Sequence, residues 1–66
     1  MTWETFKNRI ENSNTWSEAQ YLCMSYRLNN EIYWDISSWQ QGKYMCFFLQ
    51  IDTNDGNIEK YFWEEI

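Results

Sequence analysis

The chain has no histidine and no proline, two glycines, two cysteines, and five basic residues against ten acidic ones. Each shortage excludes something. Without histidine the commonest general base and the commonest metal ligand are gone. Ser-His and Cys-His nucleophile pairs cannot be assembled. Cys23 and Cys46 are too few for a zinc site or for a disulfide scaffold. Two isolated glycines, Gly42 and Gly56, form neither a phosphate-cradling loop nor a dinucleotide fingerprint. The longest apolar run, Tyr44 to Leu49, is far short of a membrane span. Met1-Thr2-Trp3-Glu4 has neither the basic start nor the following apolar stretch of an export signal. The expectation is a soluble cytoplasmic protein with buried free thiols, no cofactor, no metal and no catalytic activity.

Two features invite chemistry and fail on inspection. Asp52-Thr53-Asn54-Asp55-Gly56 has the composition of a calcium loop. Counted from Asp52, however, Gly56 falls at position five and Trp63 at twelve. An EF-hand needs glycine at six and glutamate at twelve. Glu64 and Glu65 are adjacent and point to opposite faces of a strand. Asp52 and Glu59 can face each other across a hairpin, but a chain this short has no walls for a pocket that would raise a carboxyl pKa. A solvated acidic face is the simpler reading.

What the chain does have is rings. Five Trp, five Tyr and four Phe sit in 66 residues. Each ring can bury roughly 150–250 Å², enough to build a core in a single small domain spanning residues 1–66. The interior has limited room, so some rings must remain at the surface, where Tyr and Trp are the usual interface anchors. The charge is uneven too. Up to residue 30, Glu4, Glu11 and Glu18 balance Lys7, Arg9 and Arg27. Beyond it, Glu31, Asp35, Asp52, Asp55, Glu59, Glu64 and Glu65 stand against Lys43 and Lys60 alone, so the whole net charge of −5 lies there. A field of that sign repels phosphates and favours a basic partner.

Trp3, Phe6 and Ile10 recur at helical spacing, so residues 2–12 read as an amphipathic helix capped by Thr2. Thr15 and Glu18 form a capping box. Beyond it residues 16–28 fit two periods. Ala19, Leu22, Cys23 and Tyr26 match a helix, while Leu22, Met24, Tyr26 and Leu28 match a strand. The expectation leans to a short helical turn followed by a strand, with Asn29-Asn30 as a helix stop or a hairpin turn. Residues 31–37 alternate as a half-buried strand, Ile32, Trp34 and Ile36 inward. Residues 37–42 read as a polar connector carrying Trp39. Residues 43–52 are apolar on both faces and so central in the sheet. Asn54-Asp55-Gly56 is a hairpin turn, and 57–65 returns as the last strand. Two registers compete. A turn at Asp55-Gly56 pairs Leu49 with Phe62, and a three-residue loop with a glycine bulge pairs Leu49 with Tyr61. The first is favoured because it sends Ile58 and Phe62 to the core.

Trp16-Ser17-Glu18-Ala19-Gln20 followed by Cys23 resembles the helix of C-type lectin-like domains. The likeness covers eight residues and implies only that the stretch is helical, because that family's length and disulfide pattern are missing.

The fold class expected is α+β: an N-terminal helix, with a second short helix left open, packed on a three- or four-stranded antiparallel meander. One helix layer covers one sheet face. The other face is expected to carry function, through Tyr33, Asp35, Phe48, Asp52, Glu59, Tyr61 and Trp63, with Trp39 as a separate candidate. The functional expectation is a small acidic protein-binding module without enzymatic activity, acting as an inhibitor of a host protein with a basic surface, a nucleic-acid enzyme among the candidates. The profile resembles small phage-encoded anti-defence proteins, anti-CRISPR proteins included. The alternative is a homo-oligomeric accessory subunit, a homodimer for instance, that buries the same face. Direct nucleic-acid binding is not expected, since stacking sites need a positive groove, and neither is a membrane role.

Overall fold

A computed structural model of the chain describes residues 1–27 and 32–66. Helices α1 (Trp3–Asn12) and α2 (Trp16–Arg27) precede strands β1 (Ile32–Gln41), β2 (Tyr44–Thr53) and β3 (Gly56–Glu65). The strands form an antiparallel meander in the order β1-β2-β3. Both helices pack on one face of it, giving the expected α+β fold with three strands.

Local signals explain the helices. The Thr2 hydroxyl accepts the Thr5 N–H at 3.2 Å and caps α1. Thr15 does the same for α2, accepting from the Glu18 N–H at 3.2 Å. The Glu18 carboxylate reaches back to the Asn14 N–H at 3.4 Å, one residue beyond the usual capping-box target. The second helix corrects the sequence expectation, because α2 runs unbroken to Arg27. Its inward stripe is Ala19, Leu22, Cys23 and Tyr26, all buried, while Met24 stays 57% exposed, so the 3.6 period wins over the alternating one. The expected turn at Asn29-Asn30 lies outside the described residues. Among those that are described, no helix is long and apolar enough to cross a membrane.

The core forms where α1 and α2 meet the inner sheet face. Phe6 near the start of α1 stacks on Tyr26 near the end of α2, with centroids 4.3 Å apart and planes 9° apart. Trp3 tilts against both rings. Below them lie Leu49 and Ile51 of β2 and Ile58 and Phe62 of β3, flanked by Trp16, Trp34 and Phe47. Burying each large side chain stabilises the fold by roughly 1.5–3 kcal/mol.

Strand β3 also holds the helix ends. The Lys60 ammonium donates to the carbonyls of Ile10, Glu11 and Ser13 at 2.7, 2.7 and 2.8 Å. It thus satisfies the Glu11 and Ser13 carbonyls where α1 ends, joins the Ser13 N–H and hydroxyl on that of Ile10, and sits at the negative pole of that helix. Two places along the same face, the Glu64 carboxylate accepts the Trp16 N–H at 3.0 Å, at the positive pole of α2. Asp55 in the last turn lies beside Tyr26 near the far end of α2, and burial first and then the Asp55 carboxylate push the Tyr26 phenol pKa up.

The turns revise two expectations. Gly42-Lys43 joins Gln41 to Tyr44 as a two-residue turn with Gly42 at φ +60°, the glycine-first geometry of a type II′ hairpin. Residues 37–41 are therefore strand, not connector, and Trp39 lies on β1. In the second hairpin Thr53 pairs with Gly56, so Asn54-Asp55 is the turn. Leu49 pairs with Lys60, and Phe47 with Phe62. The favoured register, Leu49 against Phe62, is displaced by two residues. A shift of two preserves the faces, so the inward and outward assignments of β3 hold even though the pairings do not.

Candidate functional site

Side chains alternate across each strand, so the two registers fix who shares the outer face. From β1 come Tyr33, Asp35, Ser37, Trp39 and Gln41. From β2 come Asp52, Gln50, Phe48, Cys46 and Tyr44, and from β3 Asn57, Glu59, Tyr61, Trp63 and Glu65. All eight residues singled out in the sequence stand on this one face, which neither helix covers. Trp39, so placed, caps no part of the helix-side core.

The face has two halves. At the end near Gly42 the rings gather. Phe48 and Tyr61 stack at 4.5 Å, and Trp39 meets Tyr61 edge-on at 6.3 Å and 81°, reaching over the central strand. Trp63 and Tyr61 remain 51% and 54% exposed. Beneath them is a residue that the sequence reading passed over as a site component. Cys46 lies directly between Trp39 and Trp63 in the registers and is fully buried. Its thiol pKa is pushed up by burial. The signal was present, since a cysteine in a strand apolar on both faces needs cover on the side away from the helices, and only clustered rings can supply it. Cys23 is on the helix side, where burial pushes its pKa up to about 12. Both thiols are free, and the sheet lies between them.

At the other end the face is acidic. Tyr33, Asp35, Gln50, Asp52, Asn57 and Glu59 line a shallow hollow of about 280 Å³, floored by the backbone near Ile51 and Ile58. Asp35 and Glu59 flank Gln50 from its two sides. The anticipated Asp52–Glu59 pairing across the hairpin does not occur. Asp52 faces Asn57, whose side-chain amide donates to it, and Glu59 faces Gln50. The ion pairs among the described residues, Lys7–Glu4 and Lys43–Glu65, involve none of these carboxylates. Among the described residues no group of three or more His, Cys, Asp or Glu is placed to hold a metal ion.

The hollow presents acceptors to a cation, and the ring platform presents flat apolar area to a neighbouring side chain. In comparisons with protein families, characterised proteins and solved structures, nothing matches this chain.

Proposed function

We propose that this protein is a binding module without catalytic activity, and that it inhibits a host protein by covering a basic surface. The observation that carries this reading is the outer face itself: an exposed ring platform beside three carboxylates without a cation partner among the described residues. Carboxylates of this kind steer a basic partner into encounter. Trp63, Tyr61 and Trp39 then supply the desolvated anchors that hold it. Occupancy is the whole mechanism, because a basic patch so covered is lost to its own ligand. If the partner acts on nucleic acid, Asp35, Asp52 and Glu59 take positions that phosphates would take. That is the logic of small phage anti-defence proteins working in the bacterial cytoplasm, with which this chain shares size and charge.

The test is affinity capture from a bacterial lysate by three proteins in parallel: the unchanged chain, Tyr61→Ala/Trp63→Ala, and Asp35→Asn/Glu59→Gln. A partner retained by the first and reduced about tenfold or more by each double variant supports the reading, provided both variants melt cooperatively. Capture should also weaken at high salt. A partner held equally by all three sinks it, as does a gel shift showing nucleic acid bound by the unchanged chain.

A further inference from the structure

The sheet has two rims, and only one is defended. Natural edge strands are blunted by charge, proline, bulges or inward-turned charged residues. β3 carries Glu59, Lys60, Glu64 and Glu65, two of them turned inward onto the helix ends. β1 is ten residues long, Ile-Tyr-Trp-Asp-Ile-Ser-Ser-Trp-Gln-Gln, with one charge, no proline and no break in its pairing with β2. The order β1-β2-β3 leaves its outer rim without a strand neighbour among the described residues.

The rim's hydrogen-bonding groups can be assigned. Gln41 and Tyr44 flank a two-residue turn, so they form a hydrogen-bonded pair, and the odd-numbered residues of β1 bond to β2. The even-numbered residues Ile32, Trp34, Ile36, Ser38 and Gln40 aim N–H and C=O outward. One contact agrees with this: the Ile36 N–H is taken at 2.8 Å by the carboxylate of its neighbour Asp35 and not by β2.

We infer that the rim of β1 is a self-association surface, and that its occupant is β1 of a second copy, paired antiparallel about a two-fold axis at Ile36. Three observations select a second copy and this frame. The row of outward groups is self-complementary under a two-fold axis, as an isologous interface requires. Pairing even with even keeps outer face beside outer face, so the helices of both copies stay on one side. The frame at Ile36 also sets Tyr33 opposite Trp39, an aromatic cross-strand pair made twice. It places Asp35, the only charge on β1, opposite Ser37, so like charges do not face each other. The Asp35 carboxylate then releases the Ile36 N–H, which bonds to the partner's Ile36 carbonyl. The product is a six-stranded sheet whose outer face is continuous.

This inference rests on the rim and stands apart from the outer-face reading above. Sedimentation velocity from micromolar to millimolar protein tests it, with a mass rising from 8.3 kDa to its double. Each copy carries a net −5, so the dimer strengthens with salt, whereas capture of a basic partner weakens. Ser38→Pro removes an outward donor and no bond to β2, and Ile36→Lys brings two ammonium groups together at the axis. Each weakens self-association by about tenfold or more while circular dichroism is unchanged. Tyr61→Ala/Trp63→Ala leaves it intact. A monomer at every concentration overturns the proposal. So does a dimer that the two rim variants leave whole and the ring variant dissolves.

Discussion

The two faces of this sheet are built from similar residues and do opposite jobs. On the inner face Leu49, Ile51, Ile58 and Phe62 meet two helices and vanish from solvent. On the outer face Phe48 and Trp39 meet Tyr61, with Trp63 beside them on β3, and these rings remain in reach of solvent or a partner. The cysteines mark the contrast most plainly. Both are fully buried, Cys23 under layered structure and Cys46 under rings alone. Burial therefore does not measure how much of the fold must open to reach a group. What lies above it does.

The largest way to break the comparison is to remove one ring from each side. Phe6→Ala leaves a cavity beneath Tyr26 and is expected to cost about 3–5 kcal/mol, enough to abolish cooperative unfolding in a domain this small. Tyr61→Ala is expected to cost about 1 kcal/mol or less. Thermal and urea melts read both. Equal losses would mean that the outer rings belong to the core. A smaller contrast lies in two neighbouring charges of β3. Lys60→Met strips the Glu11 and Ser13 carbonyls of their donor and takes one of three donors from Ile10, and should cost about 2–3 kcal/mol, whereas Glu59→Gln, on the outer face, should stay within about 0.5 kcal/mol in the same urea titration. The smallest effect is kinetic. A thiol reagent should label Cys46 at least about tenfold faster than Cys23, because rings part by local opening while Cys23 waits for wider unfolding. Trp63→Ala should widen that gap, with peptide mapping identifying each label. Equal rates would erase the distinction between the two covers.

The faces were legible from the sequence because strand alternation depends only on parity. Seven of the eight chosen residues share a surface for that reason; Trp39, read as part of a connector, joins them because β1 runs on to Gln41. The register was not legible. Asp55-Gly56 has the composition of a turn centre, yet no residue other than glycine takes a positive φ here, and the turn is Asn54-Asp55 with the Thr53 hydroxyl accepting the Asp55 N–H at 3.0 Å. Gly56 serves a different need. Its φ is +146°, and a Cβ there would lie 3.2 Å from the Trp3 ring. That is a contact across more than fifty residues, which no local rule reports. Residues 16–28 were ambiguous for a related reason. Both periods fit, and the outcome depends on Phe6 stacking on Tyr26 and on Glu64 capping Trp16. The extension of β1 was readable and missed. Glycine followed by lysine after a run of ten is itself a hairpin signal, but the polar residues before it hid the strand.

The placement of Lys60 and Glu64 has a consequence for direction. A helical hairpin laid on a sheet can point either way along the strands, and apolar packing alone discriminates weakly between the two. Here a cation waits where one helix finishes and an anion where the next begins, in that order along one strand. Exchanging the two ends, with the start of α2 at Lys60 and the end of α1 at Glu64, would bring like against like at both points. The place where the interhelical turn sits over the sheet is thus written into the last strand.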